Sequence, residues 1–255
     1  MVKHRADLPA RDSSPVFLLI TTAAMNAHHA RLLRPALAAL SIASLAALSS
    51  CNGSLCAGFD GCFDGNGLQT IAVSGTAAIG GPALASAAIR VDCVEGSGTT
   101  VADGHGNYSV SLAASLPCII TAAAGGTTLH SLSFAGGTFN TTPETELMLV
   151  YLAAQLGTDT AHLIANFPSN GHFQQVLENQ NDVLGAQSAV VTNLQQRYSV
   201  TLTAPLFLTT PFVAGQPGAG ADLSALANAG AIDTDGMPDA AAISLLSQAG
   251  TANPL

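Results

Sequence analysis

NTTPETEL, residues 140–147, marks the point at which the sequence changes from a strand pattern to a helix pattern. Thr142 followed by Pro143 is a typical N-cap and first-turn pair. Glu144 and Glu146 are placed to suit the positive end of a helix dipole. The stretch therefore predicts a helix that begins at Pro143.

The residues before this stretch are typical of an antiparallel sheet. Short runs, three of which alternate apolar and polar residues, are separated by turns rich in Gly, Pro and Asp. The candidate strands are 71–76, 88–93, 108–112, 118–122 and 129–134. Several short strands at this spacing favour a small antiparallel β-sandwich, which we place at residues 68–140.

The residues after it predict a mainly α-helical domain, residues 141–255, so that the fold class is α+β. Apolar residues recur there at helical spacing, and Gly or Pro stands near the expected helix ends. The candidate helices are 143–157, 160–167, 171–198, 222–229 and 238–249. In the longest of these, the face opposite the apolar stripe is mostly Asn and Gln.

Charge is scarce and unevenly placed along the chain. Five of the seven basic residues precede Cys51, and from Cys51 onward only Arg90 and Arg197 oppose fourteen carboxylates. Binding to nucleic acid depends on neutralising phosphates with Lys or Arg, so we expect no nucleic-acid partner. Attachment to an anionic membrane would also need a source other than a basic patch.

Residues 1–50 predict a cleaved signal peptide. Residues 26–35 are positively charged, and residues 36–48 are uninterrupted by charge. Such a run makes roughly 20 Å of helix, which is too short for a bilayer span but suits a signal peptide. A signal peptide that starts at Met25 is complete without residues 1–24, so we expect that the assigned start lies upstream of the true one.

The signal ends in LSSC, residues 48–51, which resembles the lipobox of bacterial lipoproteins. The resemblance implies cleavage between Ser50 and Cys51 and a lipid on Cys51, which would anchor the protein to a membrane. Asn52 stands where an aspartate favours the inner membrane, so the outer membrane is implied. The alternative is an ordinary secretory signal, with Cys51 as a disulfide partner.

With Cys51 lipidated, four cysteines remain, an even number that suits two disulfides in an oxidising compartment. Their proximity suggests the pairs Cys56–Cys62 and Cys93–Cys118, although the other two pairings stay open. The spacing lacks the paired knuckles of a zinc site, so disulfides are favoured. Residues 51–67 would then hold the lipidated cysteine, a small disulfide loop and a linker.

Four segments of the strand half point to a known module. VSGTA (73–77), Pro82, AIRV (88–91) and DGHGNYSV (103–110) resemble the carboxypeptidase regulatory-like, or transthyretin-like, β-sandwich. The resemblance covers about seventy residues and implies a spacer or binding unit, in some cases one associated with carbohydrate.

Followed by NTTPETEL, such a sandwich also resembles uncharacterised lipoproteins of beta-proteobacteria, which often have an apolar residue where Glu144 stands. That likeness implies architecture and no activity.

No motif carries recognisable catalysis. Serine-hydrolase, zinc-protease and phosphate-loop patterns are absent, and from Cys51 onward there is no lysine to act as a base. We expect neither an enzyme nor a cofactor.

DTDGMPD, residues 233–239, has half of a calcium-loop pattern, but Met237 and Ser244 stand where ligands belong. A turn that caps the last helix is favoured, which leaves only weak metal candidates, namely Asp233, Asp235 and Asp239.

The sequence therefore favours a non-catalytic cell-envelope lipoprotein that acts as a binding or structural module through protein or glycan contacts. The alternatives are a carbohydrate-binding or adhesin-like accessory protein and an unrecognised envelope hydrolase. An enzyme should show a deep pocket with convergent polar groups and a perturbed titratable residue. A binding module should instead show an exposed patch or an open sheet edge.

Overall fold

The computed structural model of the chain describes residues 67–255. The predicted signal peptide, its cleavage between Ser50 and Cys51, the lipid on Cys51 and the pair Cys56–Cys62 lie outside the described residues. Among the described residues, the prediction of a mixed chain with strands followed by helices is confirmed.

Six strands form one sheet with the order β3-β2-β4-β1-β6, and β5 also pairs with β4. All strand pairs are antiparallel except β1 with β6. The strands are β1 (Gln69–Thr76), β2 (Ala88–Glu95), β3 (Ser97–Val101), β4 (Asn107–Ala124), β5 (Thr127–Ser133) and β6 (Gly137–Thr138). This pairing does not confirm the two-sheet sandwich that the sequence predicts.

Strand β4 joins two runs that the sequence predicts as separate strands, 108–112 and 118–122, and that prediction is wrong. Residues 113–117 include Ser115 and Pro117, which favour turns, yet the backbone stays extended through them because β1 and β2 pair with it on either side of this point. The first part of β4 pairs with β1 up to Ala114, and the second part lies between β2 and β5. One 18-residue strand therefore belongs to both halves of the sheet.

Six α-helices and one 3-10 turn follow the strands among the described residues. They are α1 (Pro143–Gln155), α2 (Thr160–Asn166), the 3-10 turn Phe167–Ser169, α3 (Gly171–Glu178), α4 (Gln180–Tyr198), α5 (Ala219–Asn228) and α6 (Ala240–Thr251).

The single helix predicted for residues 171–198 is wrong, because Asn179 divides it. Asn179 has an extended backbone, and its side chain accepts a hydrogen bond from the Asn181 amide. Asn competes with a helical backbone in this way and favours caps.

The start of α1 is as predicted. Thr142 is the N-cap, and its hydroxyl accepts from the Thr145 amide while its own amide donates to the Thr145 hydroxyl. This reciprocal pair satisfies two donors that a helix start would leave unpaired. Helix α1 is buried along almost its whole length, against α4, α6 and β5.

The sheet and the helices share one hydrophobic core. Ile120 of β4, Leu147 of α1 and Leu177 of α3 all belong to the same cluster of buried side chains. The predicted disulfide Cys93–Cys118 is confirmed, and it joins residues that lie opposite each other on β2 and β4.

Within residues 67–255, no single helix has the length and apolar character of a membrane span. The bent pair Pro143–Gln155 and Thr160–Ser169 meets that criterion only when taken together, across an 83° bend.

Candidate functional site

A groove of about 700 Å³ lies where the connection between β1 and β2 faces the turn between β4 and β5. A smaller groove of about 370 Å³ adjoins it, and Ile79 and Thr234 line both. The walls come from three loops, namely residues 79–85, 124–127 and 233–236, with a contribution from α5.

Direct contacts fix the walls of the groove. The Thr127 hydroxyl donates to the Asp235 carbonyl oxygen at 2.6 Å, which joins the loop after β4 to the loop before α6. The amide of Ile79 donates to the Pro82 carbonyl at 3.0 Å. A β-carbon on Gly236 would lie 2.5 Å from the Ile79 side chain, so only glycine lets this loop approach so closely.

Carboxylates are the charged groups that line the groove. Asp233 uses one oxygen to accept the amides of Asp235 and Met237, both at 3.0 Å. Asp239 caps α6 by accepting the Ala241 amide at 2.7 Å. The interpretation of residues 233–239 as a turn before the last helix is therefore confirmed.

Within residues 67–255, no group of three or more His, Cys, Asp or Glu side chains could hold a metal ion.

Asn140 is the centre of a second polar region, which is buried. Its side-chain oxygen accepts the Thr76 amide at 3.1 Å. Its side-chain nitrogen donates to the carbonyls of Phe207 and Thr210, both at 2.8 Å. Asn140 therefore joins the end of β1, the start of the helical half and the loop before α5.

Glu144, four residues after Asn140 and in the first turn of α1, is only 1% exposed. Its Oε2 atom is buried without a hydrogen-bond partner among the described residues. Burial, and secondly the negative charge of Asp222, raise the pKa of Glu144 from its ordinary value of 4.5 to about 8. At neutral pH this side chain therefore carries a proton.

Asp222 is buried as well, but donors surround it. It accepts the amides of Thr203 and Ala204 at 2.8 and 2.7 Å and the Thr203 hydroxyl at 3.0 Å. The two neighbouring acids thus differ, because one is fully hydrogen-bonded and the other is not.

Glu146 contacts the sheet instead of solvent. One of its oxygens lies 2.6 Å from the His130 amide and 2.9 Å from His130 Nδ1. The Thr145 hydroxyl donates to the His130 carbonyl at 2.8 Å. These contacts join the first turn of α1 to β5.

The segment DGHGNYSV, residues 103–110, forms the turn that enters β4. Asp103 accepts the amides of His105 and Asn107 and the Asn107 side chain, and these hydrogen bonds hold its pKa below the ordinary value. The Tyr108 hydroxyl donates to the Phe139 carbonyl and lies 2.9 Å from the Thr141 hydroxyl. The segment is therefore structural, and it connects the turn to the buried polar region.

Sequence reasoning missed the burial of Glu144 and Asp222. For Glu144 the first-turn position of an acid was no signal of burial, because it equally suits the helix dipole at the surface. For Asp222 there was none, because its donors come from residues 203 and 204, far along the chain.

No known protein family, curated protein or solved structure matches this chain.

Proposed function

We propose that this chain is a non-catalytic lipoprotein of the bacterial outer membrane, exported by residues 1–50 and anchored by lipid on Cys51. Its folded part would bind a partner in the groove around Ile79. We further propose that the strand half is related to the carboxypeptidase regulatory-like β-sandwich. The turn at Asp103 and the buried Tyr108 support that likeness, because both belong to the resembling segment 103–110, which forms the turn that leads into β4.

The residues that line the groove favour binding over catalysis. Small uncharged residues line most of it, and Asp233 and Asp235 add negative charge. The acid with a raised pKa, Glu144, lines neither groove. A catalytic site would bring such a group into a pocket, whereas an open groove favours binding.

The occupant that fits best is an extended, basic segment of another envelope protein. Gly80, Gly81, Gly125 and Gly126 bring bare backbone to the groove, which suits main-chain hydrogen bonds to a peptide. Among residues 67–255, no aromatic ring lines it for stacking on a sugar. From Cys51 onward the chain carries fourteen carboxylates and two arginines, so its field attracts basic partners.

Binding of the soluble form, beginning at Asn52, to immobilised peptides tests the groove. We expect Lys- and Arg-rich extended peptides to bind, and Glu-rich peptides of equal length not to bind. Ala85→Trp, at an exposed position in the groove wall, should weaken binding at least tenfold. The matched control is Ala252→Trp, at an exposed position just after α6.

Binding that Ala85→Trp leaves unchanged would overturn the groove as the site. A response on a glycan array, with none on the peptides, would replace the peptide by a sugar ligand. The anchor has a separate test, mass spectrometry of the native protein. An unacylated chain that begins before residue 51 would remove the lipoprotein part of the proposal.

A further inference from the structure

Strand β3 forms one edge of the sheet, because it pairs with β2 alone among the described strands. Two backbone hydrogen bonds lie at its ends. The Cys93 amide donates to the Gly96 carbonyl at 3.0 Å, and the Ala102 amide donates to the Ala87 carbonyl at 2.9 Å. Every second residue of an antiparallel strand bonds to the same partner, so the even-numbered residues of β3 bond towards β2 and the odd-numbered ones face away.

The odd-numbered residues of β3 are Ser97, Thr99 and Val101, and all three are exposed. No hydrogen bond within residues 67–255 reaches their outward amides and carbonyls. Val101 is 64% exposed, the highest value among the large apolar side chains of the described residues. A row of free backbone groups beside an exposed apolar side chain is the template on which a further strand pairs.

The edge of β5, by contrast, is covered by the first turn of α1. The His130 amide donates to Glu146 at 2.6 Å, and the His130 carbonyl accepts from the Thr145 hydroxyl at 2.8 Å. Proteins also protect a free edge with Lys, Pro or a β-bulge in the strand itself. The sequence of β3, SGTTV, contains no Lys, no Pro and no charge, and its register with β2 is continuous. One edge is therefore covered and the other is open to pairing.

The surroundings of β3 are close to neutral, unlike the rest of the folded chain. Arg90 lies opposite Thr99 and forms an ion pair with Asp92, in which Nη2 and Oδ1 are 2.7 Å apart. From Cys51 onward, fourteen carboxylates oppose two arginines, so two copies of the chain repel each other over most of their surface. An edge without a carboxylate of its own is where two copies can approach.

We propose that β3 pairs antiparallel with β3 of a second copy of this chain, so that the two sheets continue across a twofold axis at Thr99. Thr99 then lies opposite its counterpart, and Ser97 of each copy lies opposite Val101 of the other. Each hydrogen-bonded pair in an antiparallel ladder exchanges two bonds, so the three rows exchange about six. This inference depends neither on the ligand of the groove nor on the lipid anchor.

A second copy fits this edge better than a free peptide does. The outward residues lie symmetrically about Thr99, which gives the edge the self-complementarity that a twofold contact requires. Two such edges satisfy each other's backbone groups at once. A basic peptide, the occupant proposed for the groove, finds no carboxylate on β3.

The length of β3 sets the strength of the contact. A strand of five residues is about 17 Å long and buries less than the roughly 1,000 Å² in total that a stable interface needs. The dimer is therefore weak and reversible, with a Kd on the order of 100 μM.

Sedimentation equilibrium of the soluble form beginning at Asn52, which keeps all of residues 67–255, tests the pairing. Between about 10 μM and about 1 mM we expect the average mass to rise from that of a monomer towards that of a dimer. Thr99→Pro removes an outward amide that β2 does not use, and it should raise the Kd on the order of tenfold or more. The matched control is Thr128→Pro, at an exposed position of β5 whose amide has the same outward direction as that of His130, and it should leave the Kd unchanged.

Val101→Glu is a second variant, which keeps the backbone and adds a negative charge at an exposed position of the edge. It should also raise the Kd on the order of tenfold or more, because two acidic copies then meet with further like charges. Thr128→Glu adds the same charge to β5 and should not raise it. If Thr99→Pro does not fold, Val101→Glu decides.

Amide resonances locate the contact. Those of Ser97, Thr99 and Val101 should shift as the concentration rises, while that of Thr128 should not. A chain that stays monomeric at about 1 mM would overturn the proposal, as would a dimer that either folded variant leaves unchanged. If the chain does not self-associate but the β3 amides shift when a Lys- and Arg-rich peptide is added, the edge binds a peptide and the second copy is excluded.

Discussion

Two carboxylates lie at the starts of two elements, Asp103 just before β4 and Glu144 in the first turn of α1, and their environments are opposite. Asp103 lies in an exposed turn, where three nearby donors hold its pKa below the ordinary value. Glu144 lies in the core with an unpartnered oxygen, and its pKa is raised. The difference teaches that donors within a few residues make an acid stable as an anion, whereas burial by distant segments keeps it protonated.

The two regions are connected. Tyr108, which follows the Asp103 turn, contacts Phe139 and Thr141. Asn140, which lies between those two residues in sequence, donates to the carbonyls of Phe207 and Thr210. Substitutions at these positions separate the contribution of local hydrogen bonds to stability from the contribution of contacts between segments distant in sequence.

Asn140→Ala should have the largest effect, because it removes three hydrogen bonds and leaves buried carbonyls and an amide without a partner. We expect the free energy of unfolding to fall by about 3 kcal/mol or more. Urea denaturation measures this, with Asn181→Ala as a control at an exposed position. A loss under about 1 kcal/mol would show that water replaces these bonds readily.

Glu144→Gln should stabilise the protein. A folded-state pKa raised from 4.5 to about 8 means that stability is fully present below about pH 4.5 and is lost as pH rises to about 8. The neutral amide does not titrate, so at pH 7 we expect a gain on the order of 3 kcal/mol. Urea titrations at pH 5, 7 and 9 would measure it, and an unchanged pH dependence in the variant would contradict the burial of the charge.

Tyr108→Phe tests the connection between the two regions. Loss of the hydroxyl leaves the buried Phe139 carbonyl without this donor, and we expect a decrease of about 1–2 kcal/mol. The matched control is Tyr198→Phe, since the Tyr198 hydroxyl is buried without a partner among the described residues. That control should be neutral or slightly stabilising, so similar losses in both variants would argue against a specific role for Tyr108.

Asp103→Asn should have the smallest effect, because the turn is exposed. A lowered folded-state pKa contributes stability that is present above the ordinary value of 3.8 and is lost as pH falls through the folded-state value. The asparagine variant should lack this dependence on acid, while Glu178→Gln should retain it. Unfolding curves between pH 2 and 5 would test the difference, and identical curves for wild type and Asp103→Asn would contradict the role of these hydrogen bonds.

Most of the fold that was predicted correctly follows from local patterns in the sequence. Short strand-like runs located β1, β2, β5 and both parts of β4, the Thr142-Pro143 pair located the start of α1, and proximity suggested Cys93–Cys118. The strands and the helix start depend on residues close in sequence, and the disulfide was one of only three possible ways to pair four cysteines.

What the sequence did not predict depends on distant contacts. The continuity of β4 comes from partners on both sides. The break at Asn179 is the exception, because it comes with the local cap of Asn179 on the Asn181 amide. The burial of Glu144 depends on packing by later parts of the chain. The local pattern accounts for an acid in the first turn of a helix but does not indicate whether its side chain is buried.

Strand β4 has a consequence for how the molecule can change over evolution. Its first part is in register with β1, its second part is in register with β2 and β5, and Cys118 is covalently joined to β2. One inserted residue between Ala114 and Cys118 would turn every later side chain to the opposite face. Relatives should therefore vary in length at the turn of residues 125–126 and hardly at all within this strand.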